Sequence, residues 1–273
     1  MVSFLFTDLD QTLLNTDKSI SRENLDAINA FLDKGNYFAF VTGRPFVDSA
    51  PFAEKYGLDR NGVFIAGFNG GEIWGYKDTA FEKICSSPLS YEDAAFLFTE
   101  AEKYDIHCQT YYDKYVIALH DNEILQSYTG GRHLVPKAIE GLDNLLAYLP
   151  APPPKVVCVR DNDRPGLQRF KDHVDPHIRG RLFSLFSSDR LLEFGALDAT
   201  KGAAIKALAE RMNVPMENTY AAGDEENDIS MIETAGTGFA VQNAREEVKA
   251  AADRITENDN DHAAIAEIIQ DLL

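Results

Sequence analysis

The stretch "FLFTDLDQTLLNTD", residues 4–17, contains the signal that decides the fold. Phe4, Leu5 and Phe6 form a continuous apolar run, which is typical of a strand buried on both faces of a parallel sheet. After Thr7, two carboxylates follow that run, at Asp8 and Asp10. Ligands of parallel sheets bind beyond the carboxyl ends of the strands, so both acids are predicted to lie at a binding edge.

An acidic pair of this kind has two interpretations. An aspartate after a strand often only caps a turn through its side-chain oxygen, and Asp-x-Asp alone is a weak motif. Two carboxylates so close together repel each other, however, unless a cation or a shared proton intervenes. Oxygen ligands of this type suit Mg²⁺. The magnesium interpretation therefore requires a third acid, a cationic side chain and phosphate donors elsewhere in the chain.

The composition limits the classes of protein to consider. A chain of 273 residues can form one large domain or two modest ones. Its net charge of −18 opposes binding to nucleic acids and to anionic membranes, so we expect neither partner. The three cysteines are scattered, which indicates a reducing compartment. Asp8 ends the first apolar run too early for a signal peptide or a membrane span, so we expect a cytoplasmic protein.

Strand and helix patterns alternate at both ends of the chain. Ser21 is the expected N-cap of a first helix, and Pro45 is expected at the first position of a second one. Apolar runs at 37–41, 63–68 and 219–222 predict further buried strands. This alternation predicts an α/β fold with a Rossmann-like parallel-sheet core.

The middle of the chain has a different pattern. The runs "HCQTYY" and "YVIALH" flank Asp113-Lys114 and predict a β-hairpin, and a helix is expected from about Arg164. The simplest organisation is a catalytic core of residues 1–82 and 191–273, with an α+β domain inserted at 83–190.

A second acidic cluster follows the predicted strand near residue 220. Acidic residues are favoured in the first turn of a helix, which accounts for Glu225 and Glu226. That preference does not account for Asp224, which a tight turn at Gly223 would bring to the carboxyl edge of the sheet. Asp224 is therefore the candidate for the third acid.

Four motifs, in this order, resemble those of the haloacid dehalogenase superfamily. They are Asp8-Leu9-Asp10-Gln11-Thr12, Thr42-Gly43-Arg44, Lys201-Gly202 and Gly223-Asp224-Glu225-Glu226-Asn227-Asp228. The insert resembles the type IIB cap of that superfamily, so the chain is similar to Cof-type phosphatases. Two departures are visible: Glu225 stands where the family usually has a small residue, and His262-Ala263-Ala264 stand where it has a Gly-Val pair.

The resemblance implies a magnesium-dependent phosphoryl-transfer site. Asp8 would be the nucleophile that forms an aspartyl-phosphate, and Asp10 would be the general acid and base. The side chains of Asp8 and Asp224 and the backbone carbonyl of Asp10 would bind Mg²⁺. Asp228 would support the metal site from outside this ligand set.

The resemblance also implies a set of phosphate ligands. They are the backbone amide of Leu9, Thr42, the amide of Gly43, Lys201 and Asn227. Thr-Gly-Arg alone would most often be only a turn, and an isolated lysine is usually only solvated, so these assignments depend on the order of the motifs. Arg44 has two possible roles: it could face the phosphate, or it could brace its loop by pairing with an acid.

The insert is expected to act as a cap that excludes water and selects the substrate. Its candidates for specificity are His107, Tyr111, Tyr112 and His120. Aromatic residues of a hairpin usually serve packing, and alternation along the strand places Tyr111 and Tyr112 on opposite faces.

The function expected from these residues is Mg²⁺-dependent hydrolysis of small phosphorylated metabolites, such as sugar phosphates, through an aspartyl-phosphate. One alternative is a phosphomutase of the phosphomannomutase type, which would need a basic cluster on the insert; its candidates are scattered along the sequence, at Lys114, Arg132, Lys137 and Lys155. The other is a non-catalytic regulator that binds phosphorylated metabolites, against which the intact catalytic motifs argue. The natural substrate and the oligomeric state are not indicated by the sequence.

Overall fold

The computed structural model describes residues 2–272 of the chain. The strands are β1 (Phe4–Thr7), β2 (Tyr37–Val41), β3 (Val63–Gly67), β4 (Glu72–Lys77), β5 (Ala80–Ser86), β6 (His107–Tyr112), β7 (Tyr115–Ala118), β8 (Val135–Ala138), β9 (Val156–Val159), β10 (Leu182–Ser188), β11 (Leu191–Ala196), β12 (Thr219–Gly223), β13 (Thr237–Ala240) and β14 (Arg254–Ile255). The helices are α1 (Arg22–Asp33), α2 (Phe46–Lys55), α3 (Tyr91–Lys103), α4 (Glu123–Thr129), α5 (Leu142–Tyr148), α6 (Arg164–Ile178), α7 (Lys201–Arg211), α8 (Ile229–Thr234), α9 (Glu246–Ala251) and α10 (Ala264–Leu272).

The first compact unit runs to Cys85 and resumes at Thr200. It contains an eight-stranded sheet in the order β14-β13-β12-β1-β2-β3-β4-β5. Strand β1 lies inside the sheet and pairs in parallel with β2 and β12, so that Phe4 is opposite both Tyr37 and Thr219. The α/β class with a parallel-sheet core is therefore confirmed, and the carboxyl ends of β1, β2 and β12 share one edge.

Apolar side chains on both faces of β1 hold this unit together. Leu5 packs in a buried cluster with side chains of α1 and α10, including Phe31 and Ile268. Phe4 and Phe6 are on the other face, where they pack in a cluster with side chains of α7. Burial of one such side chain contributes about 1.5–3 kcal/mol. Helices thus cover both faces of the sheet, which explains why three successive residues of the strand, Phe4 to Phe6, are apolar.

Local capping sets where the helices of this unit begin. The Ser21 side chain accepts a hydrogen bond from the amide of Asn24, as expected for the N-cap of α1. Pro45 is the N-cap of α2, with an extended backbone, and Phe46 is the first helical residue. The expectation that Pro45 opens the helix was therefore wrong by one residue. Thr200 caps α7 through the amide of Ala203, which fixes the start of the helix at Lys201.

The second compact unit comprises Ser86–Ala199. Its six-stranded sheet has the order β10-β11-β9-β6-β7-β8. Strands β6 and β7 form the predicted hairpin, which turns at Asp113 with a φ of 52°. Side chains of α3 and α6, among them Phe98 and Phe170, pack in one buried cluster with side chains of this sheet.

The boundaries of this unit differ from the expected insert of 83–190. Strand β11 pairs antiparallel with β10 and, on its other side, with β9. The predicted boundary falls in the turn between β10 and β11, whereas the unit continues to Ala199. None of the helices within residues 2–272 has the length and apolar content needed to cross a membrane.

Candidate active site

Asp8 and Asp224 lie side by side at the carboxyl edge of the first sheet. Thr7, at the end of β1, is opposite Ala222 of β12 in the parallel register. The amide of Asp8 donates a hydrogen bond of 3.0 Å to the carbonyl of Ala222. Both acidic side chains are buried. Two acids from distant parts of the sequence therefore meet because their strands are neighbours.

Asp228 joins this pair because the chain turns tightly after β12. Its Oδ2 accepts hydrogen bonds from the amides of Asp224, at 2.8 Å, and Glu225, at 2.9 Å. Gly223 is required here, since a β-carbon at this position would collide with the Asp228 side chain. Asp228 is fully buried, so it holds the turn from the inside.

Lys201 lies between two of these carboxylates. Its Nζ is 2.5 Å from Oδ1 of Asp8 and 2.5 Å from Oδ1 of Asp228. The side chain is fully buried. Burial alone would lower the pKa of Lys201, but the charges of Asp228 and Asp8 outweigh it and raise the pKa above its usual value. Lys201 therefore stays an ammonium ion in contact with the predicted nucleophile.

The acidic cluster has more negative charge than Lys201 can neutralise. Oxygens of Asp8, Asp224 and Asp228 lie within 4.8 Å of one another. Burial, followed by the charges of neighbouring carboxylates, raises the pKa of Asp224 to about 9. Burial likewise raises the pKa of Asp8 to about 7, against the opposing effect of Lys201. Three buried carboxylates beside one ammonium ion, with oxygen atoms alone as donors, fit a hard divalent cation such as Mg²⁺.

The side chain of Asp10 pairs with two cationic side chains, those of Arg44 and Lys18. Arg44 donates from Nε to Oδ2 and from Nη2 to Oδ1 of Asp10, both at 2.7 Å, and Lys18 Nζ is 2.8 Å from Oδ1. Burial opposes ionisation of Asp10, but the hydrogen bonds and charges of Arg44 and Lys18 outweigh it and lower the pKa of the carboxyl. Of the two roles open for Arg44, the structure has the pairing with an acid.

The loop after β2 is held by a residue that the sequence analysis did not assign. The backbone N–H of Asn69 donates to the backbone carbonyl of Thr42 at 2.9 Å. The side-chain Oδ1 of Asn69 accepts from Nδ2 of Asn227 at 3.0 Å. Asn69 is fully buried and has a φ of 60°. It therefore links two of the predicted phosphate ligands, Thr42 and Asn227.

The other predicted phosphate ligands follow the same strand ends. Leu9 lies between the two acids after β1, with its side chain in the core, so that only its backbone is offered at the edge. Gly43 follows β2, which is the neighbour of β1. Because Lys201 contacts Asp8, residues from all four motifs converge at the carboxyl ends of β1, β2 and β12.

Three residues beyond the predicted set contribute to this site. Thr12 donates from its hydroxyl to Oδ1 of Asp224 at 2.7 Å, and it stands in the first motif, where a role could have been assigned. Asn69 precedes two glycines, which is a typical context for a left-handed asparagine. Nothing in the sequence around Lys18 indicates that it contacts Asp10.

The two departures from the family pattern have local structural consequences. Glu225 forms an ion pair with Arg245, with Oε2 2.7 Å from Nε, so a cation of the same region matches its charge. Ala263 adopts a left-handed conformation with a φ of 63°, immediately before α10. Glycine adopts this conformation without strain, so the alanine is strained there.

The four cap candidates are distributed over different parts of the second unit. Tyr111 is buried and hydrogen-bonds Tyr128 through the two hydroxyls at 2.6 Å. Tyr112 points to the other face and is exposed, as alternation predicted. His107 and His120 line one small cavity of about 140 Å³, where His120 pairs with Glu102 at 2.9 Å. Tyr111 therefore has a packing role, and the structure does not gather the four side chains at one point.

Comparison with known proteins identifies the family. The model of the haloacid dehalogenase-like hydrolases matches residues 5–269. The pyridoxal phosphate phosphatase YbhA of Escherichia coli is 30% identical, with 96% of this chain and 95% of that protein covered. The 5-amino-6-(5-phospho-D-ribitylamino)uracil phosphatase YwtE of Bacillus subtilis is 28% identical over 97% of this chain and 96% of its own.

A solved structure gives the same result at the level of the fold. A haloacid dehalogenase-like hydrolase from Bacteroides thetaiotaomicron superposes with a TM-score of 0.86 at 27% identity, over the full length of both chains. The family match spans both segments of the core and the insert. The chain thus belongs to the haloacid dehalogenase-like hydrolases and is a phosphatase of the Cof type.

Proposed function

We propose that the protein is a Mg²⁺-dependent phosphatase that hydrolyses small phosphorylated metabolites through an aspartyl-phosphate at Asp8. The observation that carries this proposal is the contact of buried Lys201 with Asp8, beside the further carboxylates Asp224 and Asp228. An ammonium ion there neutralises the nucleophile and an incoming phosphate together.

The metal site would consist of the carboxylates of Asp8 and Asp224 and the backbone carbonyl of Asp10. Bound Mg²⁺ would neutralise the charge on the phosphate and orient it towards Asp8. Asp228, bound to Lys201 and to two backbone amides, keeps Asp224 and Lys201 in place.

In the first step, a carboxylate oxygen of Asp8 attacks phosphorus, and the bond from phosphorus to the leaving oxygen breaks. The electron pair of that bond stays on the leaving oxygen. Asp10, in its protonated form, gives its proton to that oxygen and becomes a carboxylate. The products of this step are the free alcohol and an aspartyl-phosphate at Asp8.

In the second step, water attacks the phosphorus of the aspartyl-phosphate. Asp10 now accepts a proton from the water, and the bond from phosphorus to the Asp8 oxygen breaks. Inorganic phosphate leaves, and Asp8 is again a carboxylate. Arg44 and Lys18 favour the ionised form of Asp10, which the first step produces when the proton is given up and which this step uses.

Phosphate oxygens would be held by hydrogen bonds from Thr42, the amides of Leu9 and Gly43, and Lys201 and Asn227. These groups interact only with the phosphoryl group, which all phosphomonoesters share. We therefore propose that the inserted unit serves as the cap that selects the leaving group. The substrates named for the two relatives, a phosphoribitylamino-uracil and pyridoxal phosphate, support a small organic phosphomonoester.

The phosphomutase alternative has less support. It requires a basic cluster on the insert to hold a second phosphate, and Lys155 is buried in an ion pair with Glu193 at 2.8 Å. Lys137 lies over the ring of Tyr148, at 4.6 Å from its centroid. A non-catalytic regulator would not need Lys201 in contact with Asp8. The sparse, scattered cysteines also lead us to infer a cytoplasmic location.

The test is phosphate release from a panel of sugar phosphates, nucleotides and pyridoxal phosphate, before and after removal of metal. We expect EDTA to abolish the phosphatase activity and Mg²⁺ to restore it. The Asp8→Asn variant should remain folded and have no activity. The matched control is Asp26→Asn, an exposed aspartate of α1 with the same chemical change. Full activity in metal-free buffer, or in a verified Asp8→Asn sample, would contradict the proposal.

A further inference from the structure

Arg44 uses its guanidinium group to hold the carboxylate of Asp10 in a fixed plane. Nε and Nη2 each donate to a different oxygen of Asp10, both at 2.7 Å. This is the bidentate fork that arginine forms with carboxylates and that lysine cannot reproduce. Lys18 adds a third contact, from its Nζ to Oδ1 at 2.8 Å.

Arg44 is itself fixed by α2, the helix that begins two residues later. Its Nη1 donates to Oδ2 of Asp48 at 3.2 Å, and its guanidinium carbon lies 5.1 Å from the centroid of the Phe52 ring. The side chain of Arg44 is only 11% exposed, and that of Asp48 is 2% exposed. The position of Arg44 is therefore fixed on both sides. The Asp48 carboxylate orients the guanidinium group, and the Asp10 carboxylate accepts its two parallel hydrogen bonds.

These contacts make the two carboxylate oxygens of Asp10 different in the number of hydrogen bonds that they accept. In the part of the chain that the structure describes, Oδ1 accepts from both Arg44 and Lys18, and Oδ2 accepts from Arg44 alone. A carboxylate oxygen has two lone pairs, so Oδ1 has both occupied, while Oδ2 has one left for a proton.

We propose that Arg44 is a positioning residue for the acid–base group Asp10 and acts through it, without being a phosphate ligand. Arg44 orients the carboxylate so that Oδ2 exchanges the proton with the leaving oxygen. The inference rests on the proposed function, in which Asp10 protonates the leaving group. It assigns a role to an arginine for which the sequence left phosphate binding and loop bracing equally open.

A positioning role makes the cost of losing Arg44 depend on the leaving group. An alkyl phosphate has a poor leaving group that needs a proton as its bond to phosphorus breaks, and general acid catalysis contributes about 10²–10⁴-fold. The nitrophenolate of p-nitrophenyl phosphate leaves without that help. A phosphate ligand would instead affect both substrates alike, since both present the same phosphoryl group.

The experiment compares kcat/KM for the best alkyl phosphomonoester of the panel with that for p-nitrophenyl phosphate, because kcat/KM reports the steps up to formation of the aspartyl-phosphate. For Arg44→Gln we expect about a tenfold to hundredfold loss with the alkyl ester, and less than about threefold with p-nitrophenyl phosphate. The inhibition constant of inorganic phosphate should stay within about twofold of wild type. Arg44→Lys should recover part of the loss, since it restores the charge without the fork.

Two further variants keep the test decisive. Asp48→Asn keeps the shape of the residue behind Arg44, and we expect a smaller loss in the same direction. Arg60→Gln is the matched control, because Arg60 pairs with Asp33 at 2.7 Å on the surface. If Arg44→Gln fails to fold, as judged by its circular dichroism melting curve, Arg44→Lys and Asp48→Asn carry the comparison.

The outcomes separate the possibilities. Equal losses for both esters, together with a raised inhibition constant for phosphate, would make Arg44 a phosphate ligand and overturn the inference. Unchanged kinetics in Arg44→Gln would also overturn it. A wild-type protein without phosphatase activity, or an active Asp8→Asn variant, would mark failure of the proposed function instead.

Discussion

Replacing Lys201 with methionine removes the ammonium ion that lies between Asp8 and Asp228 and keeps most of the side-chain volume. Removing one partner of a buried ion pair costs about 3–5 kcal/mol, because the other charge is left buried and unpaired. Lys201 contacts two such carboxylates at 2.5 Å each, so a value in this range is expected. Protons can offset part of the loss, since burial already raises the pKa of Asp8 to about 7.

For Lys201→Met we therefore expect the free energy of unfolding in EDTA at pH 8 to fall by about 3 kcal/mol, a shift of roughly 6–12 °C in Tm. At pH 5 the loss should be smaller, because the carboxylates can then be protonated. The assay is urea unfolding followed by circular dichroism at both pH values. The control is Lys206→Met, an exposed lysine on the same helix. A loss at pH 8 no larger than that of Lys206→Met would refute the reasoning.

Three more predictions follow from the structure. The pKa values of Asp8 and Asp224 in the folded protein are raised to about 7 and about 9, from the usual 3.8 of an aspartate. The contribution of these two groups to the stability of the metal-free protein is therefore lost as pH rises from about 4 to about 9. The gain in Tm on adding Mg²⁺ should therefore increase over that range. Ala263→Gly should stabilise the protein by about 0.5–1 kcal/mol, because glycine relieves the left-handed strain. Tyr112→Ala or His107→Ala should change the ratio of best substrate to p-nitrophenyl phosphate by more than about threefold.

Each of these has a clear contrary result. A Mg²⁺-induced gain in Tm that is the same at pH 5 and pH 9 would reject the linkage to Asp8 and Asp224. Ala264→Gly, one position later and inside α10, should have the opposite sign to Ala263→Gly, so equal effects of the two would reject the strain argument. If neither cap substitution changes the substrate ratio, the specificity surface lies elsewhere in the second unit.

The parallel core could be predicted because its signals are local. The first three residues of strand β1, Phe4, Leu5 and Phe6, are all apolar because helices cover both faces of the sheet, and that pattern is visible in the sequence alone. The placement of Asp8 and Asp224 at one edge then follows from strand direction. The end of the insert could not be predicted in this way. Strand β11 belongs to the second unit because it pairs with β10 and β9, and this pairing is not visible in the local sequence pattern.

The partners within the site were harder to predict than its members. Asp10 and Arg44 are 34 residues apart, and Asn69 and Asn227 are 158 apart, and each pair is joined by one or two hydrogen bonds. Such contacts depend on the exact approach of two loops. Hydrophobic periodicity has no information about that approach, so the sequence left Arg44 with two roles and gave Asn69 none.

The charges of the site explain why a further acid at position 225 is compatible with it. Asp8, Asp224 and Asp228 already exceed the charge of Lys201, and an unmatched Glu225 would increase that excess beside the turn that holds Asp224. The Glu225 carboxylate turns to Arg245, and the amide of Arg245 donates to the carbonyl of Asp224 at 3.0 Å. Arg245 thus matches the added charge and also binds the backbone of the turn at Asp224. The remaining negative charge is that of the three buried carboxylates, and a divalent cation bound there would neutralise it.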